Sequence, residues 1–347
     1  MIYTLNPSKD TTIYENDITR NTGVDQILEL QKHTVTPSVS GIKNSRVLMS
    51  FDLTKYNAAV SGVGVNKLDL QLWSANTRTI ANDYILNFHT VPSADRNWGM
   101  GTGLLADNPA KTDGASWSLK NGVDAWAVEP DNSLTLYGSV TKSVSDNSDV
   151  LVDVTSMWDD QSAGGTINMW IKRPDAEEQS SVAFGHVQYF SNETKTIYRP
   201  QLNIHWDDSS YVLGTQTVIT DDNIRVLASN TKTIYSPGER TKLSVKTIPM
   251  NKLQGYSTGS LISGNENLVL PSTSYYKITD VISGEDIHGY YTTSTKMSCD
   301  SNGSFMNLWT DTLTPYREYS VSIKVVDRGY SGRVEYFSDV HSFRVEG

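Results

Sequence analysis

The feature of this sequence that most restricts its fold is an alternation of apolar and polar residues with a period of two. The segment NSRVLMSFDL, which begins at Asn44, is the clearest case. In an extended chain its two faces carry Val47, Met49, Phe51 and Leu53 on one side and Arg46, Leu48, Ser50 and Asp52 on the other. Successive side chains of a β-strand point to opposite faces, so the pattern predicts a half-buried strand.

The same alternation recurs along the first half of the chain. It is found in KLDLQLW, DVLVDV, TINMWIK and PQLNIHW, which begin at Lys67, Asp149, Thr166 and Pro200. Turns rich in Gly, Asn, Asp and Ser separate these segments, which favours an antiparallel sandwich or jelly roll. Long apolar patterns with a helical period are nearly absent, and the best short candidate is a turn of helix just before Gly164-Gly165.

The length of 347 residues is enough for about two domains, each with its own core. We predict an all-β protein with a jelly-roll-like sandwich over residues 1–208 and an immunoglobulin-like sandwich over residues 209–347. The second region has β-rich segments on both sides of the Pro237-Gly238 turn. Because Cys299 is the only cysteine, this sandwich would be of the disulfide-free kind.

A long segment within the first region, about residues 93–147, is rich in Gly, Asn, Asp and Ser but contains Trp98, Trp117 and Trp126. A loop of this length in a compact domain is either functional or structured by its own aromatic residues. We weigh two interpretations. The tryptophans pin the loop to the sandwich, or one or two of them are exposed as a contact platform for a protein or a glycan.

Composition excludes two classes of function. The net charge of −10 and the lack of basic runs argue against nucleic-acid binding, which needs clustered Lys and Arg. No apolar stretch approaches the roughly 20 residues that span a bilayer, so we expect no membrane insertion. The first residues, MIYTLNPSKD, do not resemble a secretory signal, so we expect a protein made in a cytoplasm.

Motifs with chemical meaning are weak. GYSTG, residues 255–259, matches the hydrolase pattern G-x-S-x-G around Ser257, but a turn-rich segment follows it where the nucleophile elbow needs a helix. The six histidines lack the spacing of a zinc site. The pairs Asp159-Asp160 and Asp207-Asp208 supply too few oxygen ligands to predict Ca²⁺. We therefore predict no catalytic residue, cofactor or metal.

Several short motifs follow one another along the first region. They are DTTIYE (Asp10 to Glu15), the set Asn21, Gly23, Asp25 and Leu28, the set Ser45, Arg46, Leu48, Phe51, Asp52 and Leu53, the pair Trp98-Gly99, the segment Gly114 to Trp117, and Asp153-Val154-Thr155. In this order they resemble the DNRLRE-type domain, a β-sandwich of surface, cell-wall and virion proteins. The resemblance covers roughly residues 1–207. The sequence WSLKNG that begins at Trp117 departs from the pattern of the family.

The resemblance implies a structural role for two residues of the opening strand. Arg46 and Asp52 would lie on the face away from the core, where Arg46 could tie the strand to a neighbouring loop through a carboxylate. The arrangement of the whole chain is also similar to virion structural proteins of tailed phages, notably contractile-tailed marine ones. Such a protein needs no export signal, because it reaches the exterior by lysis.

These observations lead to three hypotheses about function. The first is a non-enzymatic virion structural protein, made in the host cytoplasm, that assembles with copies of itself and with neck, tail, fibre or capsid proteins. The second is a carbohydrate-binding module for a host-surface glycan, with Trp98, Trp117 or Trp126 stacked on a sugar ring. The third is a hydrolase that uses Ser257 or a pair of carboxylates.

Overall fold

The computed structural model describes residues 1–34, 42–60, 63–78, 82–128, 134–144, 146, 148–220, 223–250, 268–326 and 333–347. Strands dominate these ranges, and the predicted all-β class is confirmed. The helices are α1 (Thr54–Ala59), α2 (Ser156–Gln161) and α3 (Asp175–Glu178), with 3₁₀ turns at Ser93–Asp95, Ser162–Gly164 and Thr310–Thr312. Among the described helices, none is both long and apolar enough to cross a bilayer.

The chain divides into two compact units. The first unit is Thr4–Ile204, and the second unit combines Met1–Tyr3 with His205–Gly347. Two strands, β1 (Ile2–Leu5) and β12 (Gln201–His205), continue along the chain from one unit into the other.

The first unit contains two sheets. Its remaining strands are β2 (Lys9–Tyr14), β3 (Ile27–Thr34), β4 (Ile42–Asp52), β5 (Lys67–Leu72), β6 (Ser74–Arg78), β7 (Tyr84–Thr90), β8 (Leu136–Lys142), β9 (Val150–Asp153), β10 (Thr166–Lys172) and β11 (Gly185–Phe190). One sheet has the order β1-β12-β5-β9, and the other has the order β6-β11-β3-β4-β10-β7-β8 with β2 also paired to β4. β4 pairs with β3 and β2 as well as with β10, in each case antiparallel. It therefore has neighbouring strands on both sides and lies inside the larger sheet.

The alternating segments predicted as strands are present as β4, β5, β9, β10 and β12. The predicted turn of helix is also present, as α2 and the 3₁₀ turn that follows it. Gly165 ends this helical segment with φ of +73°, in the left-handed region that favours glycine.

The half-buried character predicted for the NSRVLMSFDL strand is wrong. Val47 on the first face of β4 is 1% exposed, but Leu48 and Ser50 on the second face are 0% and 2% exposed. Only Asp52, at the end of the strand, is exposed on that second face. A strand with both faces covered can still alternate in polarity when its second face packs against a mixed apolar and polar surface.

The second unit also contains two main sheets. Its strands are β13 (Thr217–Val218), β14 (Ile224–Ser229), β15 (Ile234–Tyr235), β16 (Arg240–Pro249), β17 (Leu268–Val269), β18 (Ser274–Asp280), β19 (Asp286–His288), β20 (Ser298–Asp300), β21 (Gly303–Trp309), β22 (Arg317–Val326) and β23 (Val334–Val345). One sheet has the order β14-β16-β21-β20, the other β15-β23-β22-β18-β19, and β13 pairs with β17.

The core of the second unit is built from the inward faces of both main sheets. Leu243 and Met306 come from the first of them, and Tyr276, Val321 and Ile323 come from the second. All are at most 3% exposed. Cys299 is buried and carries a free thiol, so this core is held by packing without a disulfide.

Candidate functional site

Trp98, the first of the three tryptophans proposed as a contact platform, is buried. Its side chain is 1% exposed, and its indole Nε1 donates a hydrogen bond to Asn168 Oδ1 at 3.3 Å. The ammonium of Lys9 lies 4.5 Å from the centre of the Trp98 ring and donates to the Trp98 carbonyl at 2.7 Å. A ring covered in this way cannot stack on a sugar, so the platform hypothesis is wrong for Trp98.

Trp117 and Trp126 are half-buried and already have protein partners. The guanidinium of Arg46 lies 4.3 Å from the centre of the Trp117 ring. Trp126 donates from Nε1 to the carbonyl of Ser116 at 3.0 Å and meets Trp170 edge-on, with ring centroids 4.8 Å apart. Both rings therefore fasten the loop to the sheet.

The three tryptophans belong to a hydrophobic cluster of the first unit that includes Leu48 on the second face of β4. Its buried members are Ile13, Leu48, Val91, Trp98, Ala115, Leu134 and Trp170, and Met100, Trp117 and Trp126 pack against them. Leu48 and Trp170 are direct cross-strand partners in β4 and β10. The second face of β4 is thus covered by the long loop, and this explains why Leu48 is buried.

Asn21 fixes the loop at its centre. Its side chain is 0% exposed and donates from Nδ2 to the carbonyls of Met100 at 2.7 Å and Ala115 at 3.0 Å. Its Oδ1 accepts hydrogen bonds from the backbone N–H groups of Gly23 at 3.2 Å and Gly103 at 2.9 Å. One amide therefore uses two donors and two acceptor sites to join residues up to 94 positions apart.

Close backbone approach around Asn21 leaves no room for a side chain at Gly23, Gly101, Gly103 or Gly114. A Cβ atom on Gly23 would lie 2.0 Å from the carbonyl oxygen of Met100, and one on Gly114 would lie 2.5 Å from Asn21 Nδ2. Both distances are too short for any real contact. Asp25, the last position of the N-x-G-x-D motif, accepts a hydrogen bond from the N–H of Leu105 at 2.7 Å. The whole motif thus holds the loop.

Asp95 fixes the far end of the same loop. It is 0% exposed and accepts hydrogen bonds from the N–H groups of Ala127 at 3.0 Å and Val128 at 3.1 Å. The ammonium of Lys120 lies 3.4 Å from its carboxylate. Burying an isolated carboxylate costs free energy, and these hydrogen bonds and the nearby ammonium offset that cost.

Arg46 forms a bidentate ion pair with Glu178 in α3. Its Nε and Nη2 lie 3.1 Å and 2.6 Å from the two carboxylate oxygens, and the side chains are 14% and 5% exposed. The ammonium of Lys172, at the end of β10, lies 3.5 Å from the same carboxylate and also contacts Asp175. The backbone carbonyl of Glu178 accepts a hydrogen bond from Lys32. These buried charges attach α3 to the sheet.

Asp52, the other residue predicted to act with Arg46, has a separate role. Its Oδ1 accepts hydrogen bonds from the backbone N–H of Thr54 at 2.8 Å and from the Thr54 hydroxyl at 2.6 Å, at the start of α1. Asp153 makes the same two contacts with Thr155 before α2. The Asp-x-Thr sequences at both strand ends therefore turn the chain out of a strand.

Other predicted positions add no binding site. Ser257 lies outside the described residues. Asp160 pairs with Arg96 at 3.2 Å, and Asp208 accepts a hydrogen bond from Asn307 at 2.9 Å. Within the described ranges, no group of three or more His, Cys, Asp or Glu side chains is placed to hold a metal ion.

Four residues that hold the loop and α3 have no role that the sequence patterns predict: Asn21, Asp95, Lys172 and Glu178. Asn21 was visible as part of the N-x-G-x-D motif, and the run Lys172-Arg173 followed closely by the acidic residues of α3 was a signal for ion pairing. The second signal lies beside its own partners, since Lys172 pairs with Asp175 and Glu178 in the same run. The first signal names no partner, because Ala115 lies 94 positions from Asn21 along the chain.

Asp10 is a buried carboxyl group in the DTTIYE strand. It is 1% exposed; its Oδ2 accepts a hydrogen bond from the N–H of Asn192 at 2.7 Å, and Oδ1 has no hydrogen-bond partner among the described residues. Burial raises the pKa of Asp10 to about 7, against the hydrogen bond from Asn192, and the charge of Glu193 adds to the rise.

Comparisons with known proteins leave the family open. No family model matches the chain, and no curated protein matches it. A search of solved structures finds a mutant of Salmonella alpha-2-macroglobulin, with 11% sequence identity and a TM-score of 0.22. The match covers 100% of this chain and 26% of that one, so this chain spans about a quarter of its length. A likeness this weak carries no argument.

Replacing Asn21 by Asp tests the loop anchor. The change keeps both acceptor contacts but places an oxygen against the carbonyls of Met100 and Ala115. We expect the free energy of unfolding to fall by about 3 kcal/mol or more, because two buried acceptors lose their donor. Denaturant unfolding measures this, with Asn57→Asp on the exposed side of α1 as the control, expected within about 0.5 kcal/mol of the unaltered protein. Equal losses would contradict the anchor.

Replacing Arg46 by Met tests the buried ion pair. We expect a loss of about 3–5 kcal/mol in the free energy of unfolding, because Glu178 keeps a buried charge without its principal partner. Arg344→Met is the control, since the pair of Arg344 with Glu346 is half-exposed and should contribute at most about 1 kcal/mol. In a double-mutant cycle with Glu178→Gln, strictly additive losses would show that the two side chains are not coupled.

Asp10 predicts a pH dependence of stability. Because its pKa is higher in the folded chain than in the unfolded chain, its contribution is complete below pH of about 4 and is lost as the pH rises to about 7. Relative to the unaltered protein, Asp10→Asn should therefore gain stability between pH 4 and pH 8, by at most about 4 kcal/mol. Melting curves across this range measure the gain. Asp159→Asn, at an exposed aspartate, should show no such trend, and a flat difference for Asp10→Asn would refute the assignment.

Proposed function

We propose that this chain is a non-enzymatic structural protein of a tailed-phage particle, which acts by assembling with copies of itself and with other virion proteins. The proposal rests on the resemblance of residues 1–207 to the DNRLRE-type domain and on the contacts that its motifs make. We further propose that the two units correspond to a jelly-roll-like domain over about residues 1–208 and an immunoglobulin-like domain over about residues 209–347.

Two features support the immunoglobulin-like assignment of the second unit. The strand orders β14-β16-β21-β20 and β23-β22-β18 correspond to the A-B-E-D and G-F-C orders of that fold. Tyr319, near the start of β22, is 1% exposed and donates from its hydroxyl to the carbonyl of Thr314 at 2.9 Å. This is the geometry of the tyrosine corner, in which a tyrosine at the start of strand F bonds the backbone upstream.

The observation that carries the structural proposal is that the motif residues hold the long loop against the sheet. Asn21, Asp25 and Arg46 contact residues of the loop. Trp98, within the loop, bonds to Asn168 of β10. Each of these side chains therefore has a structural role. A loop fixed in this way gives every copy of the protein the same surface. Association then costs less conformational entropy, which suits a particle built from many identical contacts.

The sheets also offer surfaces for assembly. β8 lies at one end of the larger sheet of the first unit, and Leu136 in this strand is 49% exposed. β9 lies at one end of the smaller sheet, and its Leu151 is 55% exposed. β8 and β9 lie against each other at Gly138 and Val152, so the surface that they offer is the apolar area of the exposed leucines.

Immunogold labelling of purified particles from the source tests the proposal, with an antibody raised against the whole chain. We expect gold at one fixed position on each particle, and that position would distinguish neck, tail, fibre and capsid. Gold on host cells or in the medium, with clean particles, would overturn the virion assignment. Antibody absorbed with the purified protein is the control for non-specific labelling.

A further inference from the structure

A cavity of about 250 Å³ lies at the surface of the first unit, where Leu105 of the anchored loop lines it and none of the three tryptophans does. Its lining residues include Tyr14, Asp17, Arg20, Glu29, Gln31 and Leu105. All are polar except Leu105, which is 42% exposed. The cavity is smaller than the roughly 300–1,000 Å³ of sites for drug-sized ligands, so it has room for one small ring and not for an extended molecule.

Glu29 supplies a fixed acceptor to this cavity. Its carboxylate accepts hydrogen bonds from the Tyr14 hydroxyl at 2.7 Å and from Gln188 Nε2 at 2.6 Å, and His186 Nε2 lies 3.2 Å away. Burial raises the pKa of Glu29, but these hydrogen bonds outweigh it and lower the pKa to about 2. A carboxylate has about four lone-pair sites, so the three contacts leave one for a ligand.

Arg20 supplies hydrogen-bond donors to the same cavity. Its Nε pairs with Asp17 Oδ2 at 2.7 Å, and its Nη1 donates to the carbonyls of Leu105 at 2.8 Å and Asp107 at 3.1 Å. In the part of the chain that the structure describes, these contacts use three of the five N–H donors of the guanidinium. The side-chain amide of Gln31 adds both a donor and an acceptor.

This mixture selects the chemistry of the ligand. Sugar hydroxyl groups donate and accept at once, so they match walls in which carboxylate, amide, phenol and guanidinium groups alternate. The carboxylates of Glu29 and Asp17 would repel an acidic sugar, since like charges placed close together are unfavourable. We propose that this cavity binds one neutral sugar residue, such as the end of a glycan chain on a cell surface.

The proposal differs from the glycan platform that the sequence left open as an alternative, because it uses none of the three tryptophans. It also does not depend on the virion assignment. A protein absent from particles could still bind sugar here, and a virion protein could lack this activity.

Saturation-transfer NMR on the full chain tests the proposal. The probes are the methyl glycosides of glucose, galactose, mannose and N-acetylglucosamine at millimolar concentration, with methyl glucuronide as the acidic counterpart. We expect transfer to at least one neutral glycoside and at least fivefold less to the glucuronide. The signal should fall at least fivefold in Gln31→Ala and in Asn16→Ala, which removes an exposed amide from the same cavity.

Gln71→Ala, a half-buried glutamine on β5 outside the cavity, is the matched control and should keep the full signal. Unfolding midpoints equal to that of the unaltered protein show that each variant is folded, and the two amide variants give independent readings if one of them is unstable. The proposal is overturned if none of the neutral glycosides receives transfer, if the signal survives both cavity variants, or if the glucuronide binds better.

Discussion

The burial of both faces of β4 is the constraint on which the first unit depends. Its second face presents Leu48 beside Trp170 of β10, and an uncovered pair of this kind would leave a large apolar area in water. The long loop provides the cover through Trp98. Ordering the backbone costs about 1–2 kcal/mol per residue, so burial of one ring cannot fix a loop of this length. Hydrogen bonds fix the rest of the loop: Asn21 holds it at Met100, and Asp95 holds it at Ala127.

Buried charges also hold the chain in place, at the edge of this apolar surface. Arg46 lies where the cluster around Trp117 meets α3, so its guanidinium covers a ring and pairs with Glu178. Two charges removed from water are costly, and such a pair adds little stability compared with an apolar replacement. It adds direction, because the two-pronged geometry accepts only one orientation of the partner. We infer that it sets the position of the short helix.

Local periodicity predicted the strands well and the burial of β4 poorly. Alternation identified β5, β9 and β10, since period two depends only on neighbouring residues. The same alternation in β4 led to the wrong interpretation of its second face. A face that carries Arg46 and Ser50 gives the same sequence pattern whether water or a loop covers it. The contact between Asn21 and Ala115 spans 94 positions, and nothing local to either residue indicates the other. The burial of Trp98 follows from such contacts and could not be predicted without them.

The anchored loop also connects the structural role to the proposed sugar site. Leu105 belongs to the loop, and its N–H and carbonyl are held by Asp25 and Arg20. Asn21, next to Arg20 in the chain, holds the loop on both sides of Leu105, at Met100 and Ala115. The wall of the cavity is therefore set before any ligand arrives, which lowers the entropy cost of binding. The loop that covers the apolar face of the sheet thus also forms a polar cavity at its margin. Such a cavity needs no further rearrangement to recognise a small ligand.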